Sequence, residues 1–527
     1  MFILERITLE RVQKWSLIAI AAFTAFYAIT SLALPFGWDH GTIAAVGGSF
    51  VHGKLPYVDS WDVKGPAAYV PYALMQALFG PTMWGARLLD IFVAGLASYV
   101  FYQCMTRLTQ KAAGVWGAFA LYFWVASAGW FFTATPDSWT VALGVFAIAP
   151  LLRADKAPDA RLLAASGFII GCAGLIKPFF LLMGLAPLLS IVAAPALTYS
   201  RRAILAAALA AGAAAPILFT IAYYAALGGL PQAIEVLILY NLATYGGLKA
   251  GVPLLDGWAA FLSRPTIAIL APFVVLGVWS FRKNRPVIWP ALGWLIATIL
   301  SVVAQGKYYY YHWMPVYAPL LLLGVLGAFS LGGGSRRGSA PWIVALGAAL
   351  MFSAQITAIP ARDAVKAAYY FVVKRSPQNY YNSFSFVVDG KALFNAGDEV
   401  AAANYLAAHT APDEGVFIWG NHATARYLAD RPNPTRFTIE FPLSLPGKYL
   451  APYRAEAMRD LRSRPPVYIV VGTNWWRPDT KEQALAKFAA LSDFLHSNYR
   501  LETSFGNLDL YRRVTDPAAT SAPARQE

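Results

Sequence analysis

Long apolar segments separated by short polar connections run through the first two thirds of the 527-residue chain. A membrane-spanning helix needs about 20 consecutive, mostly apolar residues. The pattern therefore predicts a polytopic α-helical membrane protein with about eleven spanning helices. Their approximate bounds are 15–35, 82–106, 112–130, 138–152, 162–176, 179–197, 203–227, 265–281, 286–304, 313–331 and 340–359.

The pattern changes after residue 360, where shorter amphipathic and β-branched stretches replace the long apolar segments. The stretch "DEVAAANYLAAHT" has the periodicity of a helix, while "GVFIWG", "PPVYIVVG" and "LDLYRR" are typical of strands. We predict a transmembrane module at 1–359, an α/β domain outside the membrane at 360–516 and a disordered tail at 517–527.

Composition supports this architecture and narrows the function. Only 13% of the residues are charged and the mean hydropathy is +0.48, whereas soluble domains carry about 25% charged residues. The net charge of +14 does not indicate nucleic-acid binding, because residues 1–359 hold 22 Lys and Arg but only 11 Asp and Glu. Cys104 and Cys172 both lie in apolar segments, so neither a disulfide framework nor a cysteine metal site is predicted.

The basic residues of the membrane part cluster in every second connection. Fifteen of the 22 lie near the N-terminus or in "RLTQK", "RADKAPDAR", "SRR", "FRKNR" and a second "SRR". Cytoplasmic loops carry such an excess of Lys and Arg, so these connections and the N-terminus are predicted to be cytoplasmic. The opposite side, here called the trans side, then holds the C-terminal region and two long loops, 36–81 and 228–264. The first of these loops contains a helical piece, "GTIAAVGGSFVHG".

Ionisable residues gather at helix ends on the trans side. They are Asp39, Asp59, Asp62, Lys64, Asp137, Lys177, Lys307 and His312. An ionisable group at a membrane boundary costs a few kcal/mol unless it is paired or hydrated, so this co-location predicts one polar cavity for a charged, amphipathic substrate. Simpler alternatives stay open. Asp59 would also cap a turn, and Lys54, Lys249 and Arg264 are typical of side chains that anchor in lipid headgroups.

Several motifs occur in a suggestive order. "WDHG" follows the first predicted helix, "GKLPYVDSWDVKGPAAY" and "FGPTMWGARL" come next, and "GLIKP" and "KYYYYHWMPVYAPLLLL" lie further along. This order resembles the family-39-like branch of the GT-C glycosyltransferases, which includes protein O-mannosyltransferases and the aminoarabinose transferase of lipid A. The resemblance implies an integral inner-membrane enzyme. Such an enzyme moves a sugar, with inversion, from a polyprenyl-phosphate carrier to an envelope lipid, polysaccharide or protein on the periplasmic side.

The resemblance also implies roles for individual residues. Asp39 matches the acidic residue of the first loop, which acts as the catalytic base; many relatives have an acidic pair there, where this chain has Asp39 and His40. Lys64 resembles a contact to the donor phosphate. Asp137 matches the acidic residue of the second trans-side loop. Arg87 matches the arginine after the "FG…W" segment, where a structural role at the helix start is an equal alternative.

The chemistry of the reaction adds further candidates. Negative charge grows on the leaving phosphate, and fixed cations stabilise it, so Lys177 and Lys307, with His312 as a donor, join Lys64 as candidate phosphate-binding residues. Carboxylates orient sugar or acceptor hydroxyls by accepting hydrogen bonds. The candidates for sugar or acceptor binding are Asp62, Asp137 and Arg87. No cofactor and no metal site is predicted, because no histidines have paired ligand spacing, while dependence on a divalent metal is left open.

A membrane transporter or flippase for a charged or lipid-linked substrate is the competing interpretation, since intramembrane charges also mark transport routes. Transporters often contain inverted repeats, and the sequence shows no corresponding halves. A non-catalytic scaffold for envelope assembly is a further alternative. Sugar transfer in detergent, without a membrane gradient, separates the enzyme from both.

Overall fold

The computed structural model describes residues 9–152, 159–247, 252–388, 391–473 and 479–514. Contacts within the chain divide it into two units. The first, here the helical unit, comprises residues 1–34, 86–223 and 250–369. The second, here the mixed unit, comprises residues 35–85, 224–249 and 370–527. The predicted boundary at 359–360 stays a prediction, and the predicted disordered tail lies outside the described residues.

The described chain as far as Ala368 is built from α-helices joined by short turns of 3₁₀ or π-helix. The α-helices are α1 (Leu9–Ser31), α2 (Trp38–Val51), α3 (Val70–Phe79), α4 (Met83–Leu108), α5 (Lys111–Ala126), α6 (Pro136–Ile148), α7 (Ala160–Gly174), α8 (Leu185–Val192), α9 (Tyr199–Ala226), α10 (Leu230–Ile234), α11 (Leu254–Leu262), α12 (Pro265–Phe281), α13 (Arg285–Gln305), α14 (Tyr317–Leu331), α15 (Arg336–Met351) and α16 (Ala354–Ala368). The 3₁₀ segments are Pro66–Ala68, Ala149–Leu151, Pro178–Gly184 and Tyr310–Val316, and the π-helical segments are Glu235–Tyr245 and Tyr369–Val373. The helix predicted within the first long loop is therefore present, as α2.

Five described helices are each long and apolar enough to cross a membrane alone. They are Lys14–Ser31, Met83–Leu108, Tyr199–Ala226, Arg285–Gln305 and Tyr310–Leu331. If each of two bent helix pairs counts as one span, the number rises to seven. Shorter apolar helices cover Pro136–Leu151, Ala160–Gly174 and Pro178–Val192. The polytopic membrane architecture is thus confirmed, while the number of eleven spans stays a prediction.

The two bent pairs differ from the straight segments that hydropathy predicts. α11 and α12 meet at 80°, because Pro265 opens α12 and lacks the backbone N–H that would continue the preceding helix. Arg264 lies at this corner. The segment predicted as one span at 340–359 belongs to α15 and α16, which are bent by 51° after Met351. A run of apolar residues carries no signal for such a bend.

Small residues allow helices of the helical unit to approach closely. A side chain at Gly167 would meet the backbone of α9 at Leu209, and one at Gly171 would meet it at Ala213. These glycines belong to "GFIIGCAG", which the sequence predicts to be a small-residue packing surface rather than a phosphate-binding loop. The prediction is confirmed.

The C-terminal part of the mixed unit alternates helices with short strands. Its elements are α17 (Pro377–Asn382), β1 (Ser385–Val388), β2 (Lys391–Asn395), α18 (Ala396–His409), β3 (Val416–Trp419), α19 (Ala423–Ala429), α20 (Phe441–Ser444), α21 (Leu450–Ser463), β4 (Tyr468–Val471), α22 (Lys481–Ala486), α23 (Ala489–Asn498), β5 (Tyr499–Phe505) and β6 (Leu508–Arg513). The helix and three strands predicted from the sequence are present as α18, β3, β4 and β6.

Four of these strands form one sheet in the order β3-β4-β6-β5. β3 and β4 are parallel, while β6 is antiparallel to both β4 and β5. Alternate side chains of the central strands, including Val470 and Leu510, are buried against apolar residues of α18 and α19, including Leu406 and Ala425. The sheet therefore supports α19, and α19 in turn packs on α2.

Candidate functional site

The predicted site residues fall into two clusters, one in each unit. Asp39, Asp62 and Lys64 belong to the mixed unit, and we call them the carboxylate cluster. Asp137, Lys177, Lys307 and His312 belong to the helical unit, as does Arg87. The prediction that all of them line one cavity stays a prediction.

Asp39 lies in the first turn of α2, where the helix dipole stabilises a carboxylate. The next residue, His40, caps the N-terminal end of α2, because its Nδ1 accepts a hydrogen bond of 3.1 Å from the backbone N–H of Gly37. The His40 ring also stacks on Phe36, with 5.3 Å between ring centroids. His40 thus has a structural role at the position where relatives have a second carboxylate. The Asp39 side chain itself is 45% exposed.

Lys64 links the two carboxylates of this cluster. Its Nζ lies 3.3 Å from Oδ1 of Asp39 and 3.5 Å from Oδ2 of Asp62. Burial alone would lower the pKa of Lys64, but attraction by Asp39 and Asp62 outweighs it and raises that pKa above its usual value. Lys64 is therefore a fixed positive charge at physiological pH.

Asp62 is almost completely buried. Its Oδ1 accepts a hydrogen bond of 2.8 Å from the backbone N–H of Val63. Burial raises the pKa of Asp62, and the opposing attraction of Lys64 reduces the shift without cancelling it. Of the two carboxylates in contact with Lys64, Asp39 is accordingly the one that is accessible to a substrate.

The loop that carries Lys64 is held by its own side chains. The hydroxyls of Tyr57 and Tyr69 each donate a hydrogen bond of 2.8 Å to the backbone carbonyl of Lys64. Asp59 Oδ2 accepts one of 2.8 Å from the N–H of Leu55. Asp59 therefore shapes the turn, which is the simpler of its two sequence-based interpretations.

In the helical unit, an ion pair joins two predicted helix junctions. Nζ of Lys177 lies 2.6 Å from Oδ1 of Asp137, in the first turn of α6, and 3.1 Å from Oε1 of Gln305, at the end of α13. Lys177 also lies over the ring of Tyr311, 5.7 Å from its centroid. The contacts place the amine among the ends of three separate segments.

The segment that follows α13 carries the other two predicted residues of this cluster. Lys307 is 8% exposed, and burial lowers the pKa of its amine. His312 is also buried and packs edge-on against Tyr311 and Tyr309, at centroid distances of 4.6 and 5.4 Å. Lys177 and His312 therefore contact the same ring, that of Tyr311.

Sequence reasoning missed Arg264 as a site residue. Its guanidinium is buried between aromatic rings, 4.2 Å from the centroid of Tyr310 and 5.3 Å from that of Phe261. Nη1 donates a hydrogen bond of 3.4 Å to the hydroxyl of Tyr317. No carboxylate of the described residues forms an ion pair with it. The signal in the sequence is a trans-side arginine next to a proline, which a headgroup anchor explains equally well.

We call Asp137, Lys177, Arg264, Lys307 and His312 the cationic cluster, because its two lysines and one arginine outnumber its single carboxylate. The carboxylate cluster has the opposite excess, with two acids and one amine. Electrostatics therefore favours an anionic ligand group at the cationic cluster and a proton acceptor at the carboxylate cluster.

Arg87 is the predicted residue that the structure does not bring to either cluster. It is buried, and its guanidinium donates to the carbonyls of Leu34, Thr133 and Trp130 at 3.3, 3.0 and 2.6 Å. These contacts favour the structural alternative, in which Arg87 ties the start of α4 to two other segments. Among the described residues, no group of three or more His, Cys, Asp or Glu side chains is arranged to hold a metal ion.

The chain is similar in part of its sequence and in its fold to known proteins. Residues 63–224 match the family of dolichyl-phosphate-mannose-protein mannosyltransferases. The fold is similar to that of ArnT from Cupriavidus metallidurans bound to undecaprenyl phosphate, with a TM-score of 0.63 at 14% identity, covering 97% of this chain and 99% of that one. The apo form of the same ArnT gives a TM-score of 0.62 at 13% identity, covering 97% and 100%. A search of curated proteins found no match. The match over residues 63–224 and the shared fold make the chain similar to the dolichyl-phosphate-mannose-protein mannosyltransferases and to ArnT.

Proposed function

We propose that the protein transfers a sugar from a polyprenyl-phosphate-linked donor to an envelope lipid, polysaccharide or protein on the periplasmic side of the inner membrane. The observation that carries the proposal is the accessible carboxylate of Asp39, fixed at a helix N-terminus and paired with the half-buried Lys64. The matching family is named for a dolichyl-phosphate-mannose donor, and the similar ArnT binds undecaprenyl phosphate. Both support a lipid-phosphate donor.

The first chemical requirement is a base. An acceptor hydroxyl attacks the anomeric carbon of the donor sugar and loses its proton to Asp39, which contributes roughly 10²–10⁴-fold to the rate. The bond between the anomeric carbon and the phosphate oxygen breaks as the new glycosidic bond forms. A single displacement of this kind inverts the anomeric configuration, and the lipid leaves as its phosphate.

The second requirement is stabilisation of the leaving phosphate. Lys177, Lys307 and Arg264 supply positive charge in a buried environment, where each charge acts more strongly than in water. His312 supplies a hydrogen-bond donor beside Lys177. Asp137 holds the Lys177 amine in place and accepts from a sugar hydroxyl.

Lys64 has a dual role in this proposal. An ammonium group has three N–H donors; one is donated to Asp39 at 3.3 Å, while Oδ2 of Asp62 lies 3.5 Å away as an ion-pair partner. Another donor is available to a phosphate oxygen of the lipid-linked sugar, as the resemblance implies. Asp62 keeps the amine oriented and, with it, the ionised Asp39.

The orientation in the membrane rests on the distribution of basic residues. Clusters such as "FRKNR" and "SRR" belong in the cytoplasm, which assigns the clusters of site residues and the C-terminal domain to the periplasmic side.

The test uses purified protein in detergent. Undecaprenyl-phosphate-linked hexoses and pentoses, labelled in the sugar, are mixed with a cell-envelope fraction as acceptor. We expect the label to move to an envelope component and undecaprenyl phosphate to be released, without any membrane gradient. Absence of transfer in detergent, combined with movement of the labelled donor across vesicles that contain the protein, would instead establish a transporter.

A further inference from the structure

Arg436 is the most heavily engaged side chain near the carboxylate cluster. It lies in the mixed unit, within the segment "WGNHATARYLADRPNPTRF", for which the sequence indicates no chemistry. Its guanidinium makes a two-pronged contact with Glu456 on α21, with Nε to Oε1 at 2.7 Å and Nη2 to Oε2 at 3.1 Å. Nη2 also donates to Oε1 of Glu235, at 3.1 Å. Planar, bidentate pairing of this kind fixes orientation as well as charge.

The surroundings make this arrangement rigid. The side chain of Arg436 is 10% exposed and lies against the ring of Tyr453, whose hydroxyl donates to the same Glu235 oxygen at 2.8 Å. Burial alone would lower the pKa of Arg436, but hydrogen bonding and attraction by Glu456 and Glu235 outweigh it. The guanidinium is therefore charged at every accessible pH and held from two sides.

Arg436 also holds the loop that precedes Lys64, at two points. Its Nη1 donates a hydrogen bond of 3.0 Å to the carbonyl of Tyr57. Its own carbonyl accepts one of 2.7 Å from the N–H of Trp61, and Phe437 continues this pairing as an isolated parallel bridge. Trp61 is fully buried.

The loop passes this restraint on to Lys64. The hydroxyl of Tyr57 donates a hydrogen bond of 2.8 Å to the carbonyl of Lys64. Tyr57 therefore contacts Arg436 through its own carbonyl and holds the backbone of Lys64 through its hydroxyl. Lys64 in turn reaches Asp39 and Asp62. A continuous series of contacts thus connects the C-terminal part of the chain to the carboxylate cluster.

We propose that Arg436 is a positioning residue that keeps Lys64 beside Asp39 by anchoring the Tyr57–Trp61 turn to α21 and Glu235. The expected effect on catalysis rests on the proposed function. The anchoring of the turn by Arg436 does not depend on that function. Displacement of a catalytic group by about 1 Å through a remote change lowers rates by about 10²-fold. Loss of the anchor should therefore reduce turnover without removing any group that touches substrate.

The test compares Arg436→Lys with the matched control Arg431→Lys. Arg431 belongs to the same unit and donates to Thr410 Oγ1 at 2.7 Å and to the carbonyls of Ala429, Thr410 and Ala407 at 2.7, 2.8 and 3.0 Å. None of these partners belongs to the Lys64 loop. Both variants keep a positive charge and lose the planar guanidinium with its several donors, so general loss of stability affects both.

Two readouts separate positioning from folding. Hydrogen–deuterium exchange of the peptide covering residues 55–65 measures the anchoring directly and needs no activity. We expect faster exchange in Arg436→Lys than in wild type and no change in Arg431→Lys. Steady-state kinetics measure the consequence. We expect Arg436→Lys to lower kcat/KM by about 10–10²-fold and Arg431→Lys to stay near the wild-type value.

The outcomes are distinct. Unchanged exchange in Arg436→Lys, or faster exchange with an unchanged kcat/KM in an active enzyme, would overturn the inference. If the wild type transfers no sugar, the proposed function fails while exchange alone decides the anchoring. Glu456→Gln is the second variant should Arg436→Lys not fold, because it keeps an oxygen for Nε but replaces Oε2, which accepts from Nη2, with an amide nitrogen. It should change exchange and kcat/KM in the same direction by smaller amounts.

Discussion

The amine of Lys177 lies 2.6 Å from the carboxylate of Asp137, 40 positions earlier in the chain. Hydropathy places each residue at a tight junction between apolar segments, and the contact joins those junctions inside the helical unit. Pro178 ends the helix before it, so the Lys177 backbone is extended and its side chain turns back toward α6. The pair fixes one cation of the cationic cluster.

The pair makes a prediction about stability. Lys177→Met leaves Asp137 buried without its partner, and breaking a buried ion pair costs about 3–5 kcal/mol. Since a fifth of the Lys177 side chain is exposed, we expect the lower end of this range. The double variant Asp137→Asn/Lys177→Met should recover part of the loss, because no unpaired charge remains. Thermal unfolding of Lys177→Met, Asp137→Asn and the double variant in detergent measures this coupling, and strictly additive losses would contradict it.

Asp39→Asn tests the proposed base. An amide cannot accept the acceptor's proton, so we expect transfer to fall by roughly 10²–10⁴-fold, with binding of undecaprenyl phosphate retained. Asp59→Asn is the matched control, because Asp59 lies in the neighbouring loop and only accepts from the N–H of Leu55. We expect the control to keep most of its activity. Near-normal turnover of Asp39→Asn would remove Asp39 from the mechanism.

The elements that the sequence predicts well have local signals. The β-branched and aromatic residues of "GVFIWG" and "PPVYIVVG" and the glycines of "GFIIGCAG" are signals that depend only on neighbouring residues, and the structure has strands and close helix packing at these places. The candidate residues Asp39 and Lys64 could be selected for a similar reason. Charge at the end of an apolar segment is conspicuous without any knowledge of tertiary structure.

The contacts that give these residues their surroundings could not be predicted. Arg87 binds backbone carbonyls, which leave no trace in the sequence. Arg436 meets Glu235 across 201 positions, and the π-helical segment that carries Glu235 was predicted as part of a long loop. Arg264 is buried by the bend at Pro265. Each of these contacts forms only because segments far apart in the chain meet in the fold. The spacing of residues along the sequence does not indicate which segments meet.

The proposed phosphate-binding role of Lys307 predicts that donor binding depends on pH. Burial lowers the pKa of its amine below the usual value of about 10.4, so the unliganded protein loses this proton more readily than a free lysine. A bound phosphate favours the charged amine and draws the proton back. We therefore expect affinity for undecaprenyl phosphate to fall as pH rises through the alkaline range below about 10.4.

Lys307→Arg should remove most of this dependence, because a guanidinium stays charged throughout the range. The control is Lys54→Arg, at an exposed lysine of the mixed unit, which should keep the wild-type slope. Ligand-induced shifts of the unfolding temperature at several pH values measure the affinity. An unchanged slope in Lys307→Arg would show that another group is responsible.

The position of Asp39 depends on the packing of α2 against α19. A side chain at Gly41, two residues after Asp39, would overlap both the side chain and the backbone of Thr424. Gly41→Ala therefore forces α2 away from α19 and displaces the base. Because small displacements of a catalytic group cost up to about 10²-fold in rate, we expect kcat to fall with little change in donor affinity. Gly95→Ala is the control, since Gly95 in α4 has open space around it and alanine favours a helix. Equal activity of the two variants would contradict the proposed role of this contact.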